Sequence, residues 1–192
     1  MYRKISQYLE SWKHSPHRKP LIIQGARQVG KTYAVLEFGR THYDNVAYFN
    51  FETTPMLADT FAENISPDYL IPILSHIAGT TIVSEKTLMI FDEVQLCERA
   101  LTSLKYFCEE APQYHIIAAG SLLGIAVNRK QFSFPVGKVD IQTMYPMDME
   151  EFLLAMGEET LVREIRQHFE DHSPMPSAYH DAALEEEDTL PV

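Results

Sequence analysis

Apolar positions along this chain alternate between helical and strand spacing. Ile5, Tyr8, Leu9 and Trp12 recur on one helical face. The run Ser15-Pro16-His17-Arg18-Lys19-Pro20 breaks that face. Leu21-Ile22-Ile23 then reads as a short buried strand, followed by a glycine-rich turn and a helix over about Lys31–Phe38. Further strands are predicted at Val46–Phe51, Thr87–Phe91, Tyr114–Ala119 and Val139–Met144. Between them, Met56–Phe61, Pro67–Ala78 and Ala100–Glu109 read as helices. Strands alternating with helices imply an α/β fold: a parallel sheet of about five strands with flanking helices on both faces.

The pattern changes near residue 148. Asp148 reads as an N-cap, with Glu151 closing a capping-box pair. An amphipathic helix continues over Leu161–Phe169 until Ser173-Pro174-Met175-Pro176 stops it. Ser173–Val192 holds three prolines, no strand pattern and the block Glu185-Glu186-Glu187-Asp188, so it is expected to be poorly ordered. The alternative is a short helix at Ala178–Glu187 docked on the body. The expected partition is a main domain over 1–157 and a helical, acidic tail over 158–192.

Charge follows the same divide. Residues 1–147 carry 14 acidic and 14 basic side chains, whereas 148–192 carry 13 acidic and 2 basic, which accounts for the net −11. Within the neutral part, Met1–Arg40 holds eight Lys/Arg against Glu10 and Glu37. A basic front suits a polyphosphate ligand but is weak support for nucleic acid. Cys97 and Cys108 lack metal or redox spacing and read as free thiols. No apolar run approaches the length of a membrane span, so the expected location is cytoplasmic, with no membrane partner.

Three segments carry chemistry. Gly25-Ala26-Arg27-Gln28-Val29-Gly30-Lys31-Thr32 fits G-x-x-x-x-G-K-[ST] at every fixed position. Its glycines let backbone N–H groups turn inward around phosphate oxygens, and the following helix N-terminus adds partial positive charge. Lys31 reaches the β- and γ-phosphates, and the Thr32 hydroxyl is a ligand for Mg2+. Leu88-Met89-Ile90-Phe91 buries a strand that delivers Asp92 and Glu93 at its C-terminal end, where ligands sit in parallel sheets. Asp92 is the second metal candidate, and Glu93 the base that polarises an attacking water. A GTPase would show D-x-x-G here and an N-K-x-D elsewhere; the chain has Asp92-Glu93-Val94-Gln95 and no N-K-x-D. Ile116-Ile117-Ala118-Ala119-Gly120-Ser121 ends in a hydroxyl that either senses a γ-phosphate or caps the next helix. Tyr8 and Trp12 either flank an adenine or pack in the core. Arg27 and Arg129 either reach phosphate or stay on the surface.

In this order, these motifs, with Tyr145-Pro146-Met147 and Glu151-Phe152-Leu153, resemble one family over roughly residues 1–157. It is the prokaryotic AAA-type ATPases whose ATPase domain precedes a C-terminal domain of unknown function. The resemblance implies a P-loop NTPase fold in which the Ser121 strand lies between the two motif strands. It also implies ATP and Mg2+ as ligands, Lys31 and Thr32 on phosphate and metal, Asp92 on metal and Glu93 on water. Many relatives have Gly-Arg where this chain has Gly137-Lys138, a change that keeps the charge but loses the planar fork. Relatives also run past residue 192, so the missing partner is expected to be an effector domain or protein, or a second copy of the chain; nucleic acid has no reading motif here. The expected activity is Mg-dependent ATP hydrolysis. The alternatives are a nucleotide switch with little hydrolysis and, less favoured by the acid pair, a small-molecule kinase.

Overall fold

The structure, a computed structural model, describes residues 3–121, 135 and 137–187, with backbone alone for 185–187. By contact the chain divides into two compact units, Tyr8–Tyr145 and Met1–Gln7 with Pro146–Val192. Helix α1 (Ile5–His14) begins in the smaller unit and runs into the larger.

The larger unit is built on five strands: β1 (Leu21–Gln24), β2 (Asn45–Asn50), β3 (Thr87–Asp92), β4 (His115–Gly120) and β5 (Asp140–Thr143). All pair in parallel, in the order β2-β3-β4-β1-β5. As expected, β4 lies between the two motif strands β1 and β3. Helices α2 (Lys31–His42), α3 (Met56–Glu63), α4 (Pro67–Ala78) and α5 (Glu98–Glu110) connect them. Every residue of β3 and β4 is buried, and their centres, Leu88–Phe91 and Ile116–Ala119, are apolar throughout. Phe91 sits edge-on to Phe49 and Phe61, with ring centroids 5.8 and 5.6 Å away, and this cluster anchors the strand that ends in Asp92.

Helix α2 continues one turn past the expected end at Phe38. Gly39 ordinarily weakens a helix. Here it is a packing residue: a Cβ at 39 would come within 2.7 Å of Val46 Cγ2 and 3.2 Å of Leu88 Cδ2. A glycine lets α2 lie against β2 and β3, and tertiary contact offsets the propensity cost.

At the opposite end of β4 from the motifs, buried His115 accepts or donates at Nδ1 with Tyr43 Oη, 2.6 Å away. Trp12 packs edge-on against it and donates its indole N–H to Lys19 O at 2.8 Å, so Trp12 is a core residue rather than an adenine contact. Burial first, and then the nearby Arg18 and Lys13 charges, hold the His115 pKa down at about 4. The unfolded chain binds this proton near pH 6.5, so stability from neutral His115 is complete above that pH and is lost as pH falls toward 4. Between pH 7 and pH 5 the wild type should lose about 2 kcal/mol more stability than His115→Gln. Urea unfolding of both proteins at the two pH values checks this; equal losses would count against it.

The smaller unit contains α6 (Met149–Met156), α7 (Glu159–Glu170) and α8 (Ser177–Glu187). Asp148 caps α6 in a complete capping box with Glu151, as expected. Two cations of the basic front are consumed here: Lys4 Nζ lies 2.6 Å from Asp148 and 2.7 Å from Glu150, and Arg3 Nε lies 3.3 Å from Glu151. In the larger unit Arg18 donates to the carbonyls of Lys13 and Pro112. Much of the basic front thus supports structure rather than a ligand.

One expectation for the C-terminal part needs correction. Leu153 of α6 packs with Leu161 and Val162 of α7 within the smaller unit. The segment after Ser173, expected to be poorly ordered, forms α8 over Ser177–Glu187, close to the short helix held as the alternative. Tyr179, Ala182 and Ala183 form an i, i+3, i+4 stripe against the same apolar cluster, and Pro176 O accepts from the amides of Tyr179 and His180. The side chains of Glu185–Glu187 and all of Asp188 lie outside the described residues, as does Arg129.

Candidate functional site

β1 feeds directly into the P-loop. Gly25 is obligatory there, because a Cβ would overlap the Met144 carbonyl oxygen on the chain leaving β5. Gln28 (φ 65°) and Gly30 (φ 87°) take left-handed conformations, which reverse the loop before α2 starts at Lys31. Lys31 is 7% exposed, and its ammonium donates to the carbonyls of Gly25 (2.9 Å) and Ala26 (2.6 Å). Burial lowers its pKa, opposed by the nearby charges of Glu93 and Asp92.

The two motifs meet across 60 residues of sequence: Thr32 Oγ1 donates to Asp92 Oδ2 at 3.0 Å. Asp92 Oδ1 accepts from the Glu93 amide at 3.1 Å. Glu93 is left-handed (φ 52°, ψ 39°) and opens the 3-10 turn Val94–Leu96, which swings its side chain out of the buried strand. Gln95 Nε2 donates to Glu93 Oε2 in a short contact. Arg27, Lys31, Thr32, Glu52, Glu93 and Gln95 are among the residues lining one cavity of about 420 Å³. Ser121 follows β4 beside Gly25, since Gly120 pairs with Gln24. Its Oγ is buried and has no hydrogen-bond partner among the described residues.

A model of the AAA domain family matches residues 17–153. The chain belongs to the AAA domain family. No curated protein matches its sequence. Among solved structures it is similar to Drosophila ORC bound to DNA, at 15% identity and TM-score 0.51, over 85% of this chain and 47% of that one. It is also similar to Cdc6p from Pyrobaculum aerophilum, at 14% identity and TM-score 0.46, over 80% and 46%. RuvB from Thermotoga maritima matches at 13% identity and TM-score 0.47, over 95% and 66%. The chain therefore spans about half the length of the first two. At 15% identity the likeness to the ORC structure shows the fold alone.

The AAA domain's own residues fit a magnesium nucleotide. One hydroxyl and one carboxylate on a shared hydrogen bond form the small oxygen donor set that magnesium takes alongside phosphates and waters. The P-loop glycine keeps backbone close to backbone, and the Ser121 hydroxyl is a buried group in need of a partner. Lys138 pairs with Glu109 at 2.9 Å. Among the described residues, no helix is long and apolar enough to cross a membrane.

Sequence reading missed Tyr48, Asn50, Glu52 and Gln95. Tyr48 Oη donates to Asp92 Oδ2 at 2.7 Å, and Asn50 Nδ2 donates to Tyr48 Oη at 3.2 Å. Burial foremost pushes the Tyr48 pKa up to about 12, so the phenol remains a donor at neutral pH. The available signal was the period of two that puts Tyr48 and Asn50 on one face at the end of β2. It becomes informative only when β2 is known to pair with β3, setting Asn50 opposite Asp92.

Proposed function

We propose that this AAA domain binds ATP with magnesium in the 420 Å³ cavity and hydrolyses it to ADP and phosphate, in service of a partner or effector domain. The observation that carries the reading is the Thr32–Asp92 hydrogen bond at the cavity that Lys31 and Glu93 also line. Magnesium, held by Thr32 and by Asp92 directly or through water, would supply charge neutralisation on the β- and γ-phosphates. Lys31 exchanges its carbonyl partners for phosphate oxygens, and Ser121 supplies a hydroxyl toward the γ-phosphate. Glu93 accepts a proton from water as the water oxygen bonds to the γ-phosphorus. The bond from that phosphorus to the β–γ bridging oxygen breaks, and ADP leaves with that oxygen's electron pair.

A second reading, a nucleotide switch with little turnover, is favoured by one contact: the Gln95 amide occupies an oxygen of Glu93. Steady-state phosphate release separates the two. The ATPase reading expects release that needs magnesium and stops in EDTA. Tight ATP binding with no release above the no-protein blank would leave the switch reading standing instead.

A further inference from the structure

We propose that Tyr48 is a positioning residue for the metal-bearing carboxylate, setting the Asp92 rotamer on which magnesium affinity depends; this rests on the nucleotide-site reading above. Asp92 is 4% exposed and is held by donors from three elements. Thr32 of α2 and Tyr48 of β2 share its Oδ2, at 3.0 and 2.7 Å, and the Glu93 amide takes Oδ1 at 3.1 Å. Thr32 and the Glu93 amide belong to the two motifs themselves. Tyr48 is the contribution of a third strand.

The direction of the Tyr48 hydrogen bond is itself determined. Asn50 Oδ1 accepts from the amides of Glu52 (2.9 Å) and Thr53 (3.0 Å), which turns its Nδ2 toward the phenol oxygen. Tyr48 Oη therefore accepts from Asn50 and gives its own proton to Asp92. A metal ligand is oriented by such outer partners, and losing one typically costs 10–100-fold in metal affinity. Thr32 has to offer oxygen lone pairs to the metal while donating its proton to Asp92. A carboxylate free to rotate would lose that alignment, and Tyr48 restrains the rotation with a second donor on the oxygen that Thr32 engages.

The test is Tyr48→Phe, which keeps the ring and removes the hydroxyl. ATP affinity is measured by calorimetry in EDTA and across a magnesium series. The magnesium concentration giving half of the tightening should rise about 10-fold in Tyr48→Phe. Affinity in EDTA should stay within about two-fold, because phosphate contacts alone act there. A merely structural role would weaken both together, and an unshifted or lower magnesium midpoint would overturn the proposal. Should Tyr48→Phe not fold, the wild type carries the test. With 13Cζ-labelled tyrosine, the Tyr48 resonance of the ATP complex must move with the magnesium midpoint, and a stationary resonance overturns the proposal. A wild type that binds no ATP at any magnesium concentration overturns the site reading and this inference with it. A wild type that binds, paired with an unshifted variant, overturns this inference alone.

Discussion

Glu93→Gln should bind ATP like the wild type and hydrolyse it about 10²-fold more slowly, or slower still, the scale of a lost general base. The substitution is nearly isosteric, and its carbonyl can still accept from Gln95, so the left-handed turn at Glu93 keeps its local partner. What it removes is the proton acceptor. Asp92 cannot substitute, because Thr32, Tyr48 and the Glu93 amide already engage its two oxygens. Each tenfold loss is about 1.4 kcal/mol of barrier, so a 10²-fold drop assigns about 3 kcal/mol to one carboxylate. Phosphate release at saturating ATP, with calorimetry to show that binding survives, is the measurement. Wild-type turnover in Glu93→Gln would remove Glu93 from the mechanism.

The second large effect is on affinity. Lys31→Ala should weaken ATP binding by roughly 1.5–3 kcal/mol, the range of a hydrogen bond to a charged group, or about ten- to a hundred-fold in Kd. Lys31 is 7% exposed, and its ammonium donates to the Gly25 and Ala26 carbonyls at the cavity wall. Phosphate oxygens replace those carbonyls with a full opposite charge, which a buried ammonium gains more from than a solvated one. Alanine leaves the loop's glycines and the start of α2 in place, so the loss reads out the charge contact. Isothermal titration decides it: equal affinities for the two proteins would show that Lys31 faces no phosphate.

Different parts of this site were legible for different reasons. The P-loop could be read because its function depends on local backbone: Gly25 and Gly30 sit where side chains are excluded or a left-handed φ is needed, and Lys31 and Thr32 follow at fixed offsets on a helix start. Asp92 and Glu93 could be read because the apolar run Leu88–Phe91 gives way to two successive acids at the C-terminal end of its strand. Gln95 lies two residues beyond Glu93, yet its role depends on a 3-10 turn that composition does not announce. Tyr48 and Asn50 look like ordinary half-exposed strand residues until pairing sets them beside Asp92. The C-terminal helix was misjudged for a related reason. Its stripe of Tyr179, Ala182 and Ala183 is too slight to argue for order alone, and the surface it covers comes from Leu153, Leu161 and Val162.

By itself, then, the sequence determined the class of fold, the phosphate loop and the acid pair, since periodicity and steric demand at a glycine are properties of neighbouring residues. Tertiary structure decided the rest. It brought Thr32 to Asp92, gave that carboxylate a tyrosine, tied Glu93 to Gln95, spent Arg3 and Lys4 on the acids of α6, and ordered α8. These are contacts between residues far apart in the chain or oriented by an unusual backbone, and their energy exists only once strand order and helix packing have placed both partners.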